Sequence, residues 1–178
     1  GGDITPLLLP AYRDFVGTDV SLELEGSRTA DGGLDLARVV LGSKGLDISG
    51  RLVLSPEGLP LSAALTTRIG LPDSSETLLP IPGEKTFLRN GELTLRYDSR
   101  RGDAWRLAGQ LGGFRRGGMR IENAAMDGTG YLTQPGRSVQ DGASFGGTVT
   151  FFTDQIAISS LPIAQAIGPR LSGKASFV

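Results

Sequence analysis

Few residues in this chain could carry reactive chemistry. Asp98, Asp103, Asp127 and Asp141 lie near predicted turns and could pair as general acid and base. Beside glycine at turns, the same residues do ordinary turn chemistry. Two glycine-rich stretches, Gly109-Gln110-Leu111-Gly112-Gly113-Phe114 and Gly128-Thr129-Gly130, have the composition of a phosphate cradle. Neither supplies the Lys-Ser/Thr pair of a phosphate loop, and no helix pattern follows; bulges and turns account better for glycines in strands. The basic clusters Arg115-Arg116 with Arg120, and Arg100-Arg101, read as a solvated face or a guarded strand edge, with an anionic headgroup or partner as the second reading. Trp105 reads as core before it reads as a sugar-stacking platform. The Asp-rich calcium loop of an EF-hand is missing.

What the chain lacks narrows the field further. It has no His, which removes the usual general base, the commonest zinc ligand and any Ser-His-Asp triad. With no Cys there are no disulfides, thiolate ligands or cysteine nucleophile, although this says little about compartment. Lys and Arg total 18 against 19 Asp and Glu, a formal charge of -1, so no basic field awaits nucleic acid. These features point away from an enzyme, and no catalytic residue, metal site or cofactor is expected.

The elements that position these residues are β-strands. In Leu46-Asp47-Ile48-Ser49-Gly50-Arg51-Leu52-Val53-Leu54, apolar residues alternate with polar or small ones, the pattern of a strand with one greasy and one wet face. Similar segments recur. Val20, Leu22 and Leu24 oppose Ser21, Glu23 and Glu25; Ala30-Asp31-Gly32-Gly33 turns into Leu34, Leu36 and Arg38, and a change of register near Val39-Val40-Leu41 suggests a bulge. Ser55-Pro56-Glu57-Gly58 turns into Leu59, Leu61, Ala63, Leu65, Thr67 and Ile69. Tight turns between these strands imply an antiparallel meander, because parallel pairing needs longer crossovers. Residues 71–86 carry three prolines together with Leu78, Leu79 and Ile81, and read as a long apolar loop. Alternation resumes at Leu93, Leu95 and Tyr97, and continues through Trp105, Leu107, Leu111, Met119, Ile121, Tyr131, Phe145, Val149 and Phe151 to Ile156 and Ile158.

Short helices are expected near both ends. Residues 5–16 read as one closed by Gly17 and divisible at Pro10; residues 161–167 read as another, closed by Gly168 and followed by a strand. This echo makes residues 1–160 a candidate repeat unit and 161–178 the start of the next. The chain opens Gly1-Gly2-Asp3 without Met and stops in what reads as mid-strand, as an internal piece of a larger protein would. No apolar run approaches the roughly 18 residues that span a bilayer. The greasy faces could pack together as a β-sandwich, or one curled sheet could keep its inner face open to apolar ligands; composition does not separate the two.

A family resemblance favours the second. Leu34-Asp35-Leu36-Ala37-Arg38, Gly45-Leu46-Asp47-Ile48-Ser49-Gly50-Arg51-Leu52 and above all Leu161-Pro162-Ile163-Ala164-Gln165-Ala166-Ile167-Gly168-Pro169-Arg170-Leu171-Ser172-Gly173-Lys174-Ala175 resemble the periplasmic part of the TamB family, in its alphaproteobacterial form. That family belongs with the AsmA-like and bridge-like lipid transfer proteins. The resemblance covers the chain as a style rather than through one specific motif. It implies an all-β, elongated, curled antiparallel sheet, a β-taco or open groove, with the whole of 1–178 forming one groove segment. It also implies a periplasmic location within an inner-membrane-anchored protein of a Gram-negative bacterium. The implied partners are phospholipid acyl chains, an outer-membrane barrel of TamA type and unfolded outer-membrane proteins.

On this reading Val20, Leu22, Leu24, Leu34, Leu36, Leu46, Ile48, Leu52, Leu54, Leu61, Leu65, Ile69, Leu93, Leu95 and Tyr97 line the groove. Glu23, Glu25, Asp47, Arg51 and Arg96 point to the opposite face or the rim. A β-strand-binding holdase or structural spacer, and an ordinary β-sandwich binding module, are the alternatives. A groove with open edges would associate or bind detergent when isolated.

Overall fold

Alternation of period two leaves a chain one economical way to bury its apolar residues: strands must line up so that every greasy side falls on one face. In the computed structural model the chain does this with a single sheet. The structure describes all residues except 4, 82, 134–143, 161, 163–164, 166–169 and 178. The strands are β1 (Ser21–Arg28), β2 (Leu34–Gly42), β3 (Leu46–Leu54), β4 (Pro60–Ile69), β5 (Thr77–Leu78), β6 (Thr86–Leu88), β7 (Asn90–Asp98), β8 (Ala104–Arg116), β9 (Met119–Leu132), β10 (Phe145–Thr153), β11 (Ile156–Ile158) and β12 (Leu171–Phe177). Nine of them pair antiparallel in the order β1-β2-β3-β4-β7-β8-β9-β10-β12, while β5, β6 and β11 attach at the side. The sheet is curled and unclosed, and among the described residues no second sheet lies against it.

The meander expected for the first four strands is present, and β3 runs between the expected Leu46 and Leu54. The bulge suspected near Val39 lies in β2. Leu36 pairs with Leu52 of β3 and Val39 pairs with Gly50, so β2 carries one extra residue there against both neighbours. A second irregularity falls in β4, where Ser62 faces Val53 but Pro60 faces Leu54, leaving Leu61 without an opposite number.

The N-terminal helical stretch is split at Pro10, as the sequence suggests. Thr5–Leu7 and Pro10–Tyr12 are 3₁₀ turns, and α1 (Arg13–Val16) ends at Gly17, whose φ of 72° is a conformation glycine enters without a Cβ penalty. The helix expected near residues 161–167 lies outside the described residues, apart from Pro162 and Gln165. The strand expected after it is β12, and it continues the same ladder from β10.

The stretch 71–86 is more ordered than a loop. Thr77 and Leu78 pair with Leu88 and Phe87, and β6 in turn pairs with β8 through Thr86–Arg116 and Phe87–Arg115. Thr77, Leu79, Thr86 and Leu88 are all buried. Leu79 and Leu88 join Phe15 of α1 over Leu46, Ile69 and Leu111, at one end of the main strands. The stretch that reads as a long apolar loop is therefore a folded flap.

Arg115, Arg116 and Arg120 hold this flap, so they are not a free basic patch. Arg115 donates to Glu76 from Nε (3.0 Å) and Nη2 (2.8 Å), and its guanidinium carbon lies 4.0 Å from the centre of the Phe87 ring. Arg120 lies 3.8 Å from Glu76, and Arg116 lies 3.9 Å from Glu84. The Glu76–Arg115 pair is only about one-third exposed (33% and 35%), so it should exceed the near-zero contribution of a fully solvated pair. Glu76→Gln is expected to cost about 1 kcal/mol and to raise proteolytic cutting within residues 71–88. Limited proteolysis at low and high salt checks this, because salt should erase most of the difference.

Candidate functional site

Residues directly opposite in an antiparallel ladder point to the same face. The registers can therefore be followed across the sheet, and they trace apolar rows. One runs Leu22–Leu41–Ile48–Thr67–Leu93–Gly109–Met126–Phe151–Gly173. The next runs Leu24–Val39–Gly50–Leu65–Leu95–Leu107–Gly128–Val149–Ala175. A third joins Gly26, Leu36, Leu52, Ala63, Tyr97, Trp105, Gly130, Gly147 and Phe177. Nine strands at about 4.8 Å spacing make each row about 38 Å long, and no charged residue interrupts them.

Thirteen of the fifteen residues expected to line a groove lie on this one face, brought together by the pairing. Leu34 and Leu54 oppose each other at one end, and Leu46 and Ile69 oppose each other at the other. The ladder does not fix the remaining two. Val20 precedes β1 and bridges only to Gly2, and Leu61 sits at the β4 irregularity. Several residues on the face escape a simple reading by alternation. Val39 and Leu41 arrive there because the extra residue in β2 reverses the parity of that strand. Met126 and Phe177 stand among small residues that blur the apolar pattern.

The opposite face is polar. Ser49, Thr66 and Thr94 form one row, and Asp47, Arg68, Glu92 and Gln110 form another. Ion pairs stitch this face: Arg38 to Glu23 (3.3 Å), Arg51 Nη2 to both oxygens of Asp35 (3.0 and 2.9 Å), and Arg68 to Glu92 (3.1 Å). All are solvated and contribute little stability; their effect is to keep this side wet.

Among the described residues, the flap roofs the face at Leu46 and Ile69 and no second layer covers the rest. Leu22 and Leu24 are each 55% exposed, and Phe145 is 50% exposed. Six of the eight buried apolar residues among those described form two small groups, with Ile121 and Ala124 in neither. One is the flap cluster; the other is Ala63, Tyr97 and Trp105, with Leu52, Leu65, Leu95, Leu107, Leu132 and Val149 against them. The neighbours in the second group come from the same sheet, so they pack side by side and not across a sandwich.

Comparison with family models, with curated proteins and with solved structures finds no match.

The face changes character along its length. Through β1–β4 and β7 it is aliphatic, whereas from β8 to β12 it is a glycine floor with rings laid on it. A Cβ on Gly130 would lie 2.4 Å from Trp105 Cζ2, and one on Gly147 would lie 2.2 Å from it, so only glycine lets the indole lie that close. Trp105 Nε1 donates to the Gly146 carbonyl (3.2 Å), and the indole stacks on Phe145 (5.7 Å) and Phe177 (6.0 Å). Gly128 and Gly130 therefore belong to a regular strand and serve ring packing; they are in neither a turn nor a bulge, unlike the usual explanation for strand glycines.

The candidate acid–base residues have other employment. Asp98 caps the 3₁₀ turn Ser99–Arg101, and its carboxyl is held below the usual range mainly by the side-chain hydrogen bonds from Arg100 (3.1 and 3.2 Å). Asp127 stands on the polar face opposite Ala108, Asp103 precedes β8, and Asp141 lies outside the described residues. Hydrogen bonds from Ser75 and Thr29 lower Asp73 and Asp31 in the same way. Among the described residues, no three carboxylates gather as a cation site.

The Tyr97 phenol shifts the other way. Burial raises it, with Asp103 and Asp98 adding to the effect, and its hydroxyl has no hydrogen-bond partner among the described residues. These shifts set a pH profile. The lowered aspartates add stability that is present above their unfolded value near 3.8 and is lost as pH falls through the lower folded value. The raised Tyr97 adds stability that is present below 10.0 and is lost as pH climbs through its higher folded value. With no His to titrate in between, the melting temperature is expected to stay level from about pH 5 to about pH 9 and to drop outside that window. A melting series across this range checks it.

Proposed function

We propose that this chain is a segment of a hydrophobic β-groove that carries the acyl chains of phospholipids along its apolar face. The observation that carries this reading is the set of uncharged rows crossing nine strands, with no second sheet over them among the described residues. A 16-carbon acyl chain moved fully out of water gains on the order of 12 kcal/mol. A wall of Leu, Ile and Val provides that gain without polar fixing points, so a tail can slide. The sequence style of the TamB family supports the same role. The segment would then belong to an inner-membrane-anchored periplasmic protein of a Gram-negative bacterium. Its full-length form would meet a TamA-type outer-membrane barrel, pass phospholipids between the membranes and support outer-membrane protein assembly. No catalytic step, cofactor or metal enters this proposal.

A second reading, a holdase for unfolded outer-membrane proteins, is favoured by one observation: every residue of β1 is exposed, and among the described residues its outer edge pairs with no strand beyond the Gly2–Val20 bridge. An extended peptide could add there as a further strand. Photo-crosslinkers at Leu36 and Leu93 on the apolar face, with Thr66 on the polar face as control, separate the two. Phospholipid recovered from Leu36 and Leu93 but not from Thr66 supports the groove. Unfolded β-strand peptide supports the holdase, and equal lipid capture from both faces overturns the groove.

A further inference from the structure

Two places in the sheet set one arginine directly opposite another. Arg115 of β8 faces Arg120 of β9, and Arg96 of β7 faces Arg106 of β8. Opposite residues of an antiparallel pair share a face, with about 5 Å between their Cβ atoms. Each arrangement therefore brings two positive charges together and destabilises the ladder unless an anion lies between them. At the first place the chain supplies one. Glu76 puts one carboxylate oxygen 2.8 Å from Arg115 and the other 3.8 Å from Arg120, so a single oxyanion bridges both guanidinium groups.

At the second place the described residues supply none. Arg96 and Arg106 are exposed and make no ion pair or side-chain hydrogen bond among the described residues. Arg38, Arg51 and Arg68 on the same face each have a carboxylate. An open hollow of about 430 Å³ lies against Arg96 and Arg106, with Thr94, Ala108, Asp127 and Thr129 also in its wall. Thr94 Oγ1 donates to the Ala108 carbonyl (3.3 Å) and Thr129 Oγ1 to the Trp105 carbonyl (3.2 Å). The guanidinium groups are thus the side-chain donors left for a ligand. Asp127 adds one carboxylate to the wall, and two guanidinium groups against it leave the hollow positive.

We propose that Arg96 and Arg106 form a binding site for a phosphate group, which bridges them on the polar face as Glu76 bridges Arg115 and Arg120. A phosphate suits this pair better than a carboxylate does. As a monoester it carries a charge of about -2, and it has enough oxygens to accept from two planar guanidinium groups at once. The volume of the hollow is that of a small-molecule site, so the phosphate can bring an organic group with it. Its source is either a soluble phosphorylated molecule or the headgroups of a membrane lying against the polar face. The site is on the opposite side of the sheet from the apolar rows, so the inference is independent of what those rows carry.

The test is heteronuclear NMR of the arginine Nε–Hε groups, with inorganic phosphate titrated against sodium chloride at matched ionic strength. The Arg96 and Arg106 signals are expected to shift saturably with phosphate and not with chloride. Arg106→Gln should raise the phosphate concentration at half-saturation by at least about fivefold, and Asp127→Asn should lower it about twofold. Lys174→Gln removes an exposed cation from the same face two strands beyond Asp127, and it should leave the titration unchanged. Co-sedimentation with phosphatidylglycerol vesicles identifies the source. Capture that Arg106→Gln abolishes supports a headgroup, whereas phosphate shifts without vesicle capture support a soluble ligand. The proposal is overturned if phosphate gives no saturable shift and vesicle capture does not depend on Arg106. Equal weakening by Arg106→Gln and Lys174→Gln also overturns it, since a general field and not a site would then hold the anion.

Discussion

Trp105→Ala is expected to cost about 3–5 kcal/mol, the largest loss of any single replacement in this chain. The indole is buried on the sheet beside Tyr97. Its removal takes away the stacking partner of Phe145 and Phe177, the donor to the Gly146 carbonyl and the cover over Gly130 and Gly147. Glycine strands have little side-chain packing of their own, so β9, β10 and β12 should loosen together. Urea unfolding followed by far-ultraviolet circular dichroism reads the effect, since the variant has no tryptophan left to report by fluorescence. The complementary variant Gly147→Val approaches the same contact from the floor. Its Cβ would fall 2.2 Å from the ring, so it should also destabilise. A loss below about 1 kcal/mol for Trp105→Ala would mean that the backbone ladder alone holds these strands.

Leu95→Asp is expected to lower the phospholipid bound per protein at least tenfold, with Arg96→Ser, its neighbour on the polar face, leaving it unchanged. A carboxylate set against an acyl chain costs several kcal/mol, and about 1.4 kcal/mol already corresponds to a factor of ten. Leu95 lies midway along its row and is half-buried, so the replacement also strains the fold. Leu24→Asp separates the two effects. It lies in the same row, but at 55% exposure on the edge strand the fold should tolerate it within about 0.5 kcal/mol. Lipid loss in Leu24→Asp with an unchanged melting temperature would assign the effect to the face itself. Normal lipid content in both variants would remove the apolar rows from the binding path.

These expectations fall where the sequence was easiest and hardest to read. The aliphatic half was legible because Leu, Ile and Val stand at every second position and nothing else competes for the pattern. Leu46 to Leu54 shows this most clearly, and its neighbours Leu65 and Leu95 follow from it by register. The aromatic half was harder to read. A glycine on the greasy face looks the same as one in a turn, so Gly128, Gly130 and Gly147 hid the fact that their strands share the face of Trp105.

Parity reasoning also fails at any bulge. One extra residue in β2 moved Val39 and Leu41 onto the apolar side, and one in β4 left Leu61 without a set face. The flap was hidden for another reason. Its strands are two and three residues long, flanked by prolines, and are fixed by distant partners: Glu76 meets Arg115 across 39 positions. Local pattern carries no trace of such a contact. It did show that an apolar stretch lay between the prolines, and Leu79 and Leu88 account for where that stretch goes.

The flap also qualifies the picture of an open groove. Phe15, Leu79 and Leu88 cover the ends of β3, β4 and β8, while the rows through Leu22 and Leu24 stay uncovered at the β1 side. A lipid tail would therefore meet open wall along the middle rows and a roofed margin beside them. Charge follows the same division: carboxylates and guanidinium groups cluster on the polar face and around the flap, away from the rows.

The most direct test of the apolar face as a lipid path is native mass spectrometry of the protein purified without detergent, with organic extraction of the same sample. Discrete mass additions matching phospholipids, lost in Leu24→Asp and retained in Arg96→Ser, are the predicted result. A bare protein mass from a lipid-rich preparation, with no phospholipid in the extract and no uptake from added vesicles, would contradict it.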